Sequence, residues 1–136
     1  MLNDSDLSPG FGKLMIGKLT PDVISVLGLS SDPRDIVMWE DRYQYIQKHK
    51  GDFQSEDNFF SCVKKIPDVV ADPDYVALHP SKGSIEYIKQ INELVIVAVR
   101  LKNTGNLALR TFFPLTQKQL QDYIDSGTAK KISKLH

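Results

Sequence analysis

The sequence holds a single cysteine among its 136 residues, which excludes an intramolecular disulfide framework and any cysteine-based zinc site. That residue, Cys62, lies among Phe59, Phe60 and Val63 and reads as a core thiol. Long hydrophobic runs are missing too. The longest, Leu94 to Val99, covers six residues before Arg100 breaks it, far short of the roughly 20 that a membrane helix needs. The opening MLNDSDLSPGFGK is acidic and has no apolar stretch beside a basic start, so no secretory signal is read there and a cytoplasmic location is expected. Repeats and low-complexity tracts are absent. His49, His79 and His136 stand at spacings that suggest no zinc site, so neither a metal nor another cofactor is expected.

What is present is an ordinary folded-domain composition, 41% hydrophobic and 25% charged, at a length that suits one core. The organisation read from the sequence is an N-terminal, partly flexible arm over 1–16, a single domain over 17–132 and a basic tail over 133–136. Net charge is zero, yet the ends differ. Residues 1–40 carry three basic against six acidic side chains, and residues 101–136 carry six against two. Such a dipole suits steering of a phosphate-bearing partner towards the C-terminal side, while zero net charge speaks against strong nonspecific RNA binding.

Thr20, Pro21 and Asp22 open a short helix that runs to Gly28. Trp39, Tyr43 and Ile46 recur at helical spacing and predict a second helix over about 40–50. Ser55 caps a third, with acids at its start and Lys64 and Lys65 at its end, and Pro67 stops it or begins a further turn through Val70. From Tyr75 the period changes. YVALH, SIEYIKQI, LVIVAVRL and LALRTFF read as four strands, and the short links PSKG, NE and KNTGN favour antiparallel neighbours. Thr116 and Gln119 form a capping box for a last short helix that ends at Gly127, and TAKKISKLH reads as a mobile basic tail. The expected class is therefore α+β: N-terminal helices, a four-stranded antiparallel meander and a short C-terminal helix.

Pairing the last hairpin with 102 opposite 107 puts Val95, Val97, Val99 and Leu101 on a face with Ala108, Arg110 and Phe112. The other face then carries Leu94, Ile96, Ala98 and Arg100 with Leu107, Leu109, Thr111 and Phe113. Each face holds one arginine, and a bulge in either strand would reverse half of the assignment. Both arginines stay candidates for phosphate binding, because a guanidinium offers a planar fork to two phosphate oxygens. His49, at the end of the second helix between Lys48 and Lys50, suits general acid or base catalysis once paired with an arginine. Tyr45, four residues earlier, shares its helix face. Lys82 and Ser84, before the second strand, are within reach of a phosphate, although Pro80, Ser81 and Gly83 also explain that segment as a turn.

The blocks IVMWEDRYQYIQKHKGDF, IPDVVADPDYV, SIEYIKQI, LVIVAVRL and LRTFFPLTQKQLQDYI, in that order, resemble a PBECR domain, most closely its third group. The name covers phage-encoded nucleases similar to barnase, EndoU, the tRNase colicins and RelE. The similarity spans about Gly17 to Ile132. It implies the same helices-then-sheet fold and a metal-independent endoribonuclease, acting as a toxin or mobile-element effector on tRNA or another structured RNA. Cleavage would run through a 2′,3′-cyclic phosphate, and the partners implied are that RNA and a cognate immunity or antitoxin protein. By position, the resemblance implies proton transfer by His49, phosphate stabilisation by Arg100 and Arg110, and substrate orientation by Thr111; Tyr45, Lys82 and Ser84 are added as substrate-binding candidates from their placement. The sequence departs from the pattern where relatives often carry a histidine at Tyr45 and a tyrosine at Phe113. A catalytically weakened module that binds RNA or a protein without cleavage is the alternative, and a protein-interaction role anchored by Trp39 or Phe53 is a third.

Overall fold

The computed structural model describes residues 1–79 and 83–132. Local signals start and stop the helices. In α1 (Pro21–Leu27) the Thr20 hydroxyl accepts the Val23 N–H, and Gly28 closes the helix in the left-handed region at φ 64°, where a side chain would be strained. In α3 (Glu56–Lys64) Ser55 accepts the Asn58 N–H at 3.0 Å. Pro67 sits in the first turn of a separate α4 (Ile66–Ala71). The capping box of Thr116 and Gln119 opens α5 (Gln117–Asp125). The second helix departs from expectation: α2 covers Glu40–Ile46, and the chain then tightens into a 3-10 helix over Gln47–Asp52 that carries His49.

The expected four-stranded meander is the centre of a larger sheet. Its strands are β3 (Tyr75–His79), β4 (Ser84–Gln90), β5 (Leu94–Arg100) and β6 (Leu107–Pro114), each antiparallel to the next. Three more strands complete it: β1 (Lys13–Leu19), β2 (Arg34–Trp39) and β7 (Ala129–Lys131). The order is β1-β2-β6-β5-β4-β3-β7, seven strands among the described residues in place of four. β2 lies parallel to β6 through Ile36 against Leu107 and Val37 against Ala108, a pairing of residues about 70 apart that no local pattern announces. β7 is three residues long and takes up part of the stretch read as a mobile tail, pairing Ala129 with Ala77. Residues 133–136 lie outside the described residues.

One face of the sheet holds the main core. Val95, Val97 and Val99 of β5 pack there with Phe112 of β6, Tyr87 of β4 and Phe59, Val63, Val69 and Val70 from α3 and α4. Gly17 of β1 is needed for that packing, because a Cβ there would stand 2.7 Å from Val70 Cγ1. Phe53 joins the same core at 6% exposure, against Phe59 and Phe112, so it is no surface anchor. The opposite face is only partly covered. Leu120, Tyr123 and Ile124 of α5 close over Ile88, Leu94, Ile96 and Leu115 at one end. The other end carries Ser84, Arg100 and Thr111, flanked by α2 and the 3-10 helix. Among the described residues, no helix is long and apolar enough to cross a membrane.

Candidate active site

The register of β5 and β6 decides where the two arginines point. From Val95 to Ala98 the pairing is the expected one, with Ala98 opposite Thr111 and Ile96 opposite Phe113. Between Ala98 and Val99 it shifts, so that Val99 meets Leu109 and Arg100 meets Ala108, leaving Arg110 as the extra residue of a β-bulge. Apolarity explains the shift: it turns Leu109 into the main core beside Val99 and releases Arg110 from that face. The expectation of one arginine per face is thereby corrected. Arg110 Nη1 donates to Ser84 Oγ at 3.0 Å, and Ser84 stands opposite Arg100, so both guanidinium groups belong to the partly open face.

A cavity of about 380 Å³ lies over that face, and His49, Arg100, Arg110 and Thr111 all line it. Tyr45 and Ser84 line it as well, while Lys82 lies outside the described residues. Ser84 is the first residue of β4 and is 2% exposed; its hydroxyl holds Arg110 in place. His49 Nδ1 lies 2.9 Å from Asp52 Oδ2, one 3-10 turn later, which leaves Nε2 as the ring nitrogen not engaged by Asp52. The imidazole packs 5.7 Å from the ring of Phe113, an apolar backing that limits its rotation.

Tyr45 is 41% exposed, with the Arg42 guanidinium 4.5 Å from its ring centroid and the Lys48 ammonium at 3.9 Å. Its hydroxyl receives a hydrogen bond from Lys48 Nζ at 2.6 Å. That bond first, then the charge of Lys48, and more weakly those of Arg42 and Arg110, hold the phenol below its ordinary range despite slight burial. A positive field thus covers this rim of the cavity.

Three ionisable residues that sequence reasoning did not place in the site also line the cavity: Arg42, His79 and Glu86. Arg42 had a signal, since it precedes Tyr45 by three residues and His49 by seven on one helical stripe. His79 and Glu86 did not, because they enter through the β3–β4 register, with His79 opposite Ser84. Tyr87 and Phe112 are fully buried in the main core, so neither ring is available to stack on a base. Among the described residues no group of three or more His, Cys, Asp or Glu side chains is placed to hold a metal ion.

A second hollow, of about 520 Å³, adjoins the first and shares Arg42, Arg100 and Arg110 with it. The two form one groove with three arginines at its waist. No curated protein and no solved structure matches the chain. A family model does, over residues 13–122, and its description is phage-Barnase-EndoU-ColicinE5/D-RelE like nuclease 3. That match takes in the sheet from β1 to β6, the bulge and every described residue of the cavity, and the chain belongs to this nuclease family, PBECR3.

Proposed function

We propose that the protein is a metal-independent endoribonuclease that cleaves tRNA or another structured RNA through a 2′,3′-cyclic phosphate. The observation that supports this reading best is the shared cavity of His49, Arg100, Arg110 and Thr111, drawn from the 3-10 helix and two strands. In such a reaction a base takes the proton of the 2′-hydroxyl, the 2′-oxygen bonds to phosphorus, the P–O5′ bond breaks and the 5′-oxygen takes up a proton. The pentacovalent phosphorane gains negative charge, which the forks of Arg100 and Arg110 would face. Thr111 would orient the ribose or phosphate by its hydroxyl.

Two proton carriers are required, and the cavity offers more than one beside His49. His79 and Glu86 line it, and each can exchange a proton. His49 acts as one member, with its tautomer held by Asp52; the second is His79 or Glu86. A toxin or mobile-element effector role, with a cognate inhibitor protein, is the setting that the family resemblance supplies.

The test is incubation of the protein with total cellular RNA in excess EDTA, beside His49→Ala, Arg110→Ala, His79→Ala and Glu86→Gln. Discrete fragments with cyclic-phosphate ends are expected from the parent and not from the first two variants. Loss in only one of the other two names the second proton carrier. Intact RNA at every pH, with RNA binding retained, would replace this reading with that of a module that binds without cutting.

A further inference from the structure

Beyond the shared arginines the second hollow has no part in the reaction described above, yet it continues the same groove and differs in chemistry from the first. It is lined by Trp39, Lys102 and Ala108 beyond the three shared arginines. Trp39 is 45% exposed, unusual for the one tryptophan of the chain. It lies two residues from Val37 in β2, and Met15 of β1 stands opposite Val37, so Trp39 and the 52% exposed Met15 share the groove's face of the sheet. The Lys13 ammonium lies 5.4 Å from the indole centroid.

We propose that this hollow is a second nucleotide subsite, in which the base on the 3′ side of the scissile phosphate stacks on Trp39 and the next phosphate meets Lys102. The proposal rests on the reading of the first cavity as an RNA site. The volume, about 520 Å³, falls within the range of roughly 300–1,000 Å³ usual for sites that bind small molecules. Charge complementarity favours a polyanion: Arg42, Arg100, Arg110 and Lys102 line the hollow against two acids. One of those acids, Glu40, is committed to the fold, since its carboxylate oxygens accept the Gly10 and Gly12 N–H groups at 2.8 and 2.9 Å. The other, Asp41, is exposed at the rim and would repel a phosphate placed beside it, which directs the backbone to the Lys102 side. An aromatic plane beside a cationic track is what single-stranded nucleic acid requires, and every base offers a face for stacking. A protein partner without acidic side chains would use the indole equally well, but it would draw nothing from the row of arginines that leads to the cavity.

Because Trp39 is the sole tryptophan, its fluorescence reports on this hollow alone. The full chain is titrated with a 2′-O-methyl tetranucleotide, which cannot be cleaved, and separately with a nucleoside 3′-monophosphate, which fills only the first cavity. The tetranucleotide is expected to quench Trp39 and to bind more tightly than the monophosphate. Trp39→Ala should weaken tetranucleotide binding by about 5- to 150-fold, the range for one stacked base, and leave the monophosphate unchanged. Trp39→Phe should recover most of the loss. Lys102→Ala should lower the salt dependence, as log K against log salt, by about 0.7, the share of one phosphate on a single strand. Equal binding of both ligands, with no fluorescence change and no effect of Trp39→Ala, overturns the subsite while leaving the first cavity as an RNA site. Failure of both ligands to bind overturns the reading of the first cavity, and the subsite with it.

Discussion

Removing the Arg110 guanidinium tests the arrangement of the site most directly, because Arg110 is the residue that the β-bulge turns onto the groove face. It is half-buried, held by Ser84 at 3.0 Å, and belongs to both hollows of the groove. A charge-assisted hydrogen bond contributes about 1.5–3 kcal/mol, so Arg110→Ala should weaken binding of a non-cleavable RNA by about 10- to 150-fold. Cleavage should suffer more, by about 100- to 1,000-fold in kcat, because the phosphate, already an anion, gains further negative charge in the transition state. Arg110→Lys should fall between, since it keeps the charge but loses the planar fork and its geometry at Ser84. Arg34→Ala is the control: that guanidinium donates to the carbonyls of Asn103 and Gly105, outside both hollows, and its loss should leave RNA affinity within about twofold. The assays are fluorescence anisotropy with a 2′-O-methyl oligonucleotide and single-turnover cleavage in EDTA, with a thermal melt on each variant. Cleavage by Arg110→Ala within about twofold of the parent, in a protein that melts normally, would refute the assignment of Arg110 to the phosphate.

Further expectations concern the histidine, the core and the alkaline limb of stability. Asp52 is 60% exposed, so its pairing with His49 has the strength of a surface contact; Asp52→Ala should lower cleavage by no more than about fivefold, and a loss as large as that of His49→Ala would mean that Asp52 itself carries a proton. Gly17→Ala should destabilise by about 1–3 kcal/mol through the clash with Val70, and the cost should shrink in a Val70→Ala background; additive effects in urea denaturation would show that the close approach is not the cause. The Tyr87 hydroxyl is buried with no hydrogen-bond partner among the described residues, so Tyr87→Phe should be neutral or stabilise by up to about 1 kcal/mol. Burial pushes that phenol well above its ordinary range, and burial also raises Tyr43 and Tyr123. The folded state therefore keeps protons that the unfolded chain releases, so stability is full below about pH 10 and falls above it, by up to about 1.4 kcal/mol per pH unit for the buried Tyr87 and by less for the partly exposed Tyr43 and Tyr123. Tyr87→Phe should flatten that decline, and an unchanged pH profile in denaturation would argue against it.

Much of the site was legible before the sheet was known. His49, Arg100, Arg110, Tyr45 and Ser84 were each singled out by residue type and place and Thr111 by the family resemblance, and all six line one cavity. Arg42 could have been added from its spacing on the helical stripe. His79 and Glu86 could not, because a strand residue joins a site through its neighbours across the sheet, and those are set by register.

The sequence by itself determined what depends on neighbours within a few residues. Side-chain caps at Thr20, Ser55 and Thr116 satisfy the first N–H groups of their helices, and short apolar segments bounded by turn residues marked β3 to β6 almost to the residue. Tertiary structure alone decided the rest. β1, β2 and β7 are strands because a sheet edge was available to pair with them, and their own patterns, one broken by Gly17 and one only three residues long, were too weak to announce it. The bulge at Arg110 was settled the same way. Burying Leu109 against Val99 while keeping a guanidinium out of the core is a condition that only the packed sheet imposes, and meeting it put two arginines on one face.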